Sequence, residues 1–177
     1  MKVSKRATAP RNKTITRKRT APSGKASPLW KSIMVPTDFS PASFKALEYA
    51  LTLGALSDAR ITLAHIVVPV AAPDLVYGPV DWDEAEAMKQ AKVRLNEIKH
   101  EQGFELSKQI KILVRRGHPY HEIDRIANDI RADLIVVSTH GRTGLRHLLL
   151  GSVAERVIRH APCPVLVVRE KEHEFIA

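Results

Sequence analysis

The chain has 177 residues and a formal net charge of +9, a length that suits one domain of ordinary size with a substantial core. Its single cysteine, Cys163, excludes an internal disulfide framework and a zinc site built from cysteines. No apolar run approaches the length that crosses a membrane, so we expect no membrane partner and a location in a reducing cytoplasm.

The positive charge is concentrated in residues 1–28. This segment holds nine basic residues and no acidic residue, whereas 19 basic side chains balance 19 acidic ones in 29–177. It lacks apolar periodicity and cannot bury enough apolar surface to offset its ordering entropy. We therefore predict a disordered basic tail over 1–28 and a single folded domain over 29–177. The tail should bind polyanions weakly and in a salt-sensitive way, and it also has the composition of an organelle transit peptide.

Strand and helix patterns alternate after this tail. A short apolar strand is predicted over 32–35. Ser40 followed by Pro41 is typical of a helix start, and apolar residues at helical spacing extend that helix over 41–57. A second strand, dense in β-branched residues, is predicted over 61–68.

The middle of the chain continues the alternation. A polar helix is predicted over 81–102, with Gly103 at its end. A third strand follows over 110–114, and Pro119 opens a third helix. The fourth strand is predicted over 134–137.

The last two elements have clear boundary signals. Ser152 and Glu155 match the capping box S-x-x-E, which predicts a helix that begins at Ser152. Pro162 ends this helix, and a fifth strand is predicted over 165–168.

These elements predict a doubly wound α/β domain. Its strands are nearly continuous apolar runs, as expected when helices cover both faces of a sheet. Right-handed crossovers then give a five-stranded parallel, Rossmann-like sheet with helices on both faces. Ligands of such folds bind beyond the carboxyl ends of the strands, where the strand order reverses. The segments to consider are 36–38, the residues that follow His65, and 138–152.

A phosphate site is one interpretation of Gly151, Ser152 and Val153. A helix N-terminus after a glycine-bearing loop offers unpaired N–H groups and the positive end of the helix dipole. Ordinary helix capping explains the same residues, so the pattern alone leaves both interpretations open. The motifs of P-loop enzymes, dinucleotide-binding folds and serine hydrolases are absent, and we identify no catalytic residue.

The chain from about residue 31 to 169 resembles the universal stress protein family. Five segments carry the resemblance in order: VPTDFS, LAHI, THGRTG, LLLGSVAER and APCPVLVV. The ATP-binding branch of this family has the pattern G-x2-G-x9-G-[ST]. Gly141, Gly151 and Ser152 match it, and Ser138 stands at the position of the first glycine.

The resemblance implies an ATP site. Asp38 would lie at the adenosine end, with Pro36 and Thr37 shaping the pocket, and Ile66 would meet the adenine through its backbone. The hydroxyl of Ser138 would face the ribose. The phosphates would be held by Gly141, Gly151, Ser152 and Val153. An alternative role for Asp38 is that of a turn or capping residue before the helix that follows Ser40.

We expect no metal site built by the protein. His118 and His121 are three residues apart near a helix start, and His140 lies in the ligand loop, but a metal site needs three or four converging ligands. Magnesium is expected only with the phosphates of ATP.

The resemblance implies a regulatory or protective role in the stress response, without enzymatic activity beyond a slow ATP hydrolysis. Two alternatives remain: a module that binds no nucleotide and contacts an unknown protein partner, and a polyanion-binding protein that uses its tail. We also expect a homodimer, because the final strand should lie at a sheet edge, and apolar edges are normally paired. Members of this family commonly pair through this strand, here Val165, Leu166, Val167 and Val168.

Overall fold

The computed structural model describes residues 29–69, 83–103, 109–139 and 150–170. Within these ranges five strands alternate with four helices. The strands are β1 (Ser32–Pro36), β2 (Arg60–Val67), β3 (Ile110–Arg116), β4 (Leu134–Ser138) and β5 (Val165–Val168). The helices are α1 (Pro41–Ser57), α2 (Glu84–Glu101), α3 (Pro119–Asp129) and α4 (Ser152–His160). The basic segment 1–28 lies outside the described residues.

The five strands form one parallel sheet in the order β3-β2-β1-β4-β5. The chain therefore leaves β1 toward β2 and β3, then returns to the other side of β1 with β4. This reversal makes the carboxyl ends of β1 and β4 the switch point at which doubly wound folds bind ligands. The predicted five-stranded, parallel, doubly wound sheet is confirmed.

Apolar side chains cover both faces of the sheet. In β4, Leu134 and Val136 belong to a core cluster that includes residues of α1 and α2. Their neighbours Ile135 and Val137 belong to a second cluster that includes residues of α3 and α4. Successive side chains of a strand point to opposite faces, so a strand between two helical layers must be apolar at every position. This explains the continuous apolar runs of the sequence.

Helix α1 begins and ends at well-defined caps. The Ser40 side chain accepts a hydrogen bond from the Ser43 N–H at 3.2 Å, and Pro41 occupies the first turn. The helix ends at Asp58, whose left-handed backbone (φ 52°) lets its N–H bond to the carbonyl of Gly54. The span agrees with the prediction, because both end signals are local.

Other boundaries differ from prediction by a few residues. Strand β2 runs over Arg60–Val67 rather than 61–68, because its register with β1 pairs Ser32 with Arg60. Helix α2 begins after Asp83, which caps the N–H of Glu86 at 3.0 Å. Residues 81 and 82 of its predicted span lie outside the described ranges. None of the helices within those ranges combines the length and apolar character of a membrane span.

Candidate functional site

A cavity of about 340 Å³ lies at the switch point between β1 and β4. Its volume falls within the roughly 300–1,000 Å³ of typical small-molecule sites. The structure brings together at this cavity every predicted site residue except one: Pro36, Thr37, Asp38, Ile66, Ser138, Gly151, Ser152 and Val153. The remaining one, Gly141, lies outside the described residues, as does His140.

Asp38 lines the cavity and also holds the turn that leads into α1. Its Oδ1 accepts hydrogen bonds from the Ser40 N–H at 3.1 Å and from the Ser40 hydroxyl at 2.6 Å. Ser40 in turn caps α1, so the carboxylate is oriented by the same residue that starts the helix. The ligand and turn interpretations of Asp38 are therefore geometrically compatible.

Thr37 is buried at the exit of β1 and makes contacts in three directions. Its N–H donates to the carbonyl of Ala64 on β2 at 2.8 Å. Its Oγ1 lies 2.9 Å from the Ser43 hydroxyl and accepts from the Phe39 N–H at 3.0 Å. These contacts connect the loop after β1 to both β2 and α1.

The N-terminus of α4 lies at the cavity. The first N–H groups of an α-helix have no acceptor within the helix, and Ser152, Val153 and Ala154 of this first turn line the cavity. The Gly151 N–H donates to the carbonyl of Thr139 at 2.7 Å, which holds the helix start against the end of β4. Together with the helix dipole, this arrangement suits an anionic group.

The predicted capping box is wrong. Gly151, not Ser152, is the N-cap residue, and among the described residues no side-chain hydrogen bond caps this helix end. The carbonyl of Gly151 already accepts the first helical bond, from the Glu155 N–H at 2.9 Å, so Ser152 lies inside the first turn. The carboxylate of Glu155 instead accepts from Arg159 at 3.0 Å.

Ser138 is the last residue of β4 and is buried there, opposite Val168 of β5. Strand alternation places its side chain on the sheet face that Leu134 and Val136 share, toward α1. The side chain of Val137 leaves on the opposite face, toward α3 and α4.

Several lining residues were not identified from the sequence. Pro119 and Ile123 of α3 form an apolar wall, and His65 at the end of β2 lies at the cavity as well. Of α3, only the start at Pro119 was predicted from the sequence. Apolar periodicity shows that one face of a helix is buried, but it does not distinguish the residues of that face that reach the cavity.

A group of ionisable side chains on α3 and α4 lies outside the cavity. Burial raises the pKa of the Asp124 carboxyl, and the charges of His160 and His121 act in the opposite direction. The rings of His118 and His121 have centroids 6.3 Å apart. Within the described part of the chain, no three His, Cys, Asp or Glu side chains converge as a metal site would require.

Comparison with known proteins gives the family. The family model described as the universal stress protein family matches residues 29–169. Universal stress protein MJ0531 of Methanocaldococcus jannaschii is 35% identical over 154 residues, which cover 82% of this chain and 86% of that protein.

Two solved structures show the same fold. The universal stress protein UspA from Lactobacillus plantarum superposes with a TM-score of 0.65 and 27% identity, covering 78% of this chain and 97% of that one. A family protein from Arabidopsis thaliana, solved with AMP bound, has a TM-score of 0.55 and 25% identity, covering 80% and 92% of the two chains. With a family model that matches most of its length, this chain belongs to the universal stress protein family.

Proposed function

We propose that this protein binds ATP in the cavity between β1 and β4 and acts as a nucleotide-responsive regulatory or protective protein of the stress response. The observation that carries the proposal is the first turn of α4, whose residues line the same cavity as Asp38, the carboxylate that Ser40 orients. Phosphates suit the helix N-terminus, and a carboxylate suits the hydroxyl groups of a ribose.

The apolar part of the lining suits the base. Ile66, Ile123 and Val137 contribute apolar surface to the cavity, with Ile66 at the strand end where the family resemblance puts the adenine. The bound AMP of the Arabidopsis relative supports an adenine nucleotide as the ligand class. Magnesium would accompany the phosphates rather than bind a metal site of the protein.

The proposed role is binding rather than catalysis. Because the motifs of P-loop enzymes and serine hydrolases are absent from the sequence, we assign no catalytic residue. Nucleotide occupancy would then be sensed by a protein partner of unknown identity. A reducing cytoplasm suits a chain whose single cysteine, Cys163, can form no internal disulfide.

The second part of the proposal is a homodimer formed through β5. This strand lies at one end of the sheet and pairs only with β4 among the described strands. Pairing of two copies of β5 about a two-fold axis would satisfy both exposed edges.

The ATP site can be tested with Gly151→Val. Gly151 has φ −72° and ψ 150°, a backbone conformation that valine adopts readily, so the variant should fold. Its side chain would stand where the phosphates approach, and we expect ATP affinity to fall about 100-fold or more. Calorimetry with ATP measures this loss.

Arg159→Val provides the matched control. It puts the same side chain at an exposed position in the last turn of the same helix, and ATP affinity should not change. Unchanged affinity in a folded Gly151→Val protein would contradict the site assignment.

A further inference from the structure

His65 connects the end of β2 to the loop that follows β1. Its Nδ1 lies 2.8 Å from the carbonyl oxygen of Thr37, and the Thr37 N–H donates to Ala64 at 2.8 Å. Because a carbonyl oxygen can only accept, Nδ1 carries the hydrogen in this contact. Both backbone polar groups of Thr37 are therefore held by β2.

The hydroxyl groups of the loop form a chain with a defined direction. The Ser43 hydroxyl donates to the carbonyl of Ser40 at 2.8 Å, so the 2.9 Å contact between Thr37 and Ser43 must use the hydrogen of Thr37. Thr37 Oγ1 also accepts from the Phe39 N–H. The Thr37 hydroxyl thus donates one hydrogen bond and accepts another, and both bonds stabilise the loop.

Phe39 adopts a backbone conformation that is unfavourable for a residue with a side chain. Its φ of 65° lies in the left-handed region. Its ring stacks on the ring of His65, with centroids 4.3 Å apart and planes 29° apart. The contact with His65 therefore helps to maintain this strained turn, which also contains Asp38, the residue before Phe39.

We infer that His65 is a positioning residue for the nucleoside end of the site. By holding the Thr37 carbonyl and the Phe39 ring, it orients the turn that carries Asp38 before a ligand arrives. Such preorganisation strengthens binding, because less ordering remains to be done when the ligand binds. This inference rests on the proposed ATP site.

The phosphate end of the site is held by different contacts. The N-terminus of α4 is attached to the end of β4 through the bond between Gly151 and Thr139. None of the hydrogen bonds described above for His65, Thr37 and Phe39 involves α4. A change at His65 should therefore weaken binding of the nucleoside and leave binding of the phosphates nearly unchanged.

The test compares ATP with inorganic tripolyphosphate, measured by calorimetry and by competition. His65→Leu removes the donor, and we expect ATP affinity to fall about tenfold with less than about a twofold change for tripolyphosphate. His65→Asn places an amide N–H near the position of Nδ1, and it should restore most of the ATP affinity. Melting temperatures establish that each variant is folded.

Phe39→Leu is a second variant that keeps the hydrogen bond and removes the ring stack. It too should weaken ATP more than tripolyphosphate, and it tests the inference if His65→Leu does not fold.

Three results would overturn the inference while leaving the ATP site intact. These are unchanged ATP affinity in His65→Leu, an equal loss for both ligands, and an asparagine variant no better than the leucine variant. A failure of tripolyphosphate to compete with ATP for the wild-type protein would contradict a separate phosphate-binding end of the site. This result would also overturn the inference. A wild-type protein that binds no ATP would remove the proposed function together with the inference.

Discussion

Asp124 of α3 has one carboxylate oxygen, Oδ1, that is buried without a hydrogen-bond partner among the described residues. Burial raises the pKa of this carboxyl above its ordinary value of 3.8, against the opposing effect of His160 and His121. The folded protein thus binds a proton at Asp124 more tightly than the unfolded chain does. Ionisation of Asp124 therefore destabilises the fold at neutral pH, and this penalty disappears as the pH falls through the raised pKa toward 3.8.

Replacement of Asp124 by asparagine tests this linkage. Asp124→Asn removes the buried charge at little change in size or helix propensity, so its melting temperature should exceed that of the wild type at pH 7. The difference should shrink as the pH falls toward 3.8, the ordinary pKa of an aspartate, because the wild-type carboxyl takes up its proton above that pH. Thermal melts across this range measure the effect.

Asp129→Asn is the control for that experiment. Asp129 is exposed and lies 3.4 Å from Arg115, so its replacement should change stability by no more than about 1 kcal/mol and should bring no gain at pH 7. A lower melting temperature for Asp124→Asn at pH 7 would contradict the inferred penalty.

At the scale of elements, α1 packs closely on β2 at Gly54. A Cβ atom at this position would lie 3.0 Å from Cδ1 of Ile61, and Ile61 is fully buried. Glycine inside a helix costs about 1 kcal/mol relative to alanine. The close approach of helix and strand explains why glycine occupies this position in spite of that cost.

Gly54→Val should therefore destabilise the fold by about 2–3 kcal/mol, because the added methyl groups have no space against Ile61. The neighbouring substitution Ala55→Val, at an exposed position of the same helix, should cost less than about 1 kcal/mol. Urea denaturation gives both values, provided that the slope with denaturant is the same for both proteins. Equal costs for the two variants would show that packing against β2 does not restrict this position.

At the scale of the whole molecule, the proposed dimer depends on the position of β5 at the sheet edge. Residues 165–167 are only partly buried in the single chain, whereas Val168 is buried. A second copy of the strand would cover this apolar edge, as proteins generally cover theirs.

We expect the wild-type protein to sediment as a dimer at micromolar concentration and Val167→Lys to shift it toward monomer or aggregate. Leu56→Lys, at an exposed apolar position on α1, should leave the dimer intact. A wild-type monomer would refute the dimer, and a dimeric Val167→Lys protein would place the interface elsewhere.

The amino-acid sequence by itself determined the succession of elements and most of their boundaries. Helix α1 begins where Ser40 and Pro41 indicate, and β5 has its predicted span. These features depend on local hydrogen bonding and on the spacing of apolar residues, and both can be read directly from the sequence. The family resemblance also identified half of the residues that line the cavity, because motif spacing reflects the loops at one edge of the sheet.

Only the tertiary structure decided which strands are neighbours and which side chains meet at the site. The bond from His65 to Thr37 joins residues 28 positions apart, and the wall formed by Pro119 and Ile123 comes from a helix across the sheet. No local motif indicated the left-handed backbone of Phe39. The N-cap of α4 is Gly151, whereas the capping-box motif predicted Ser152. Apolar periodicity shows which face of an element is buried, but packing against other elements determines what that face contacts.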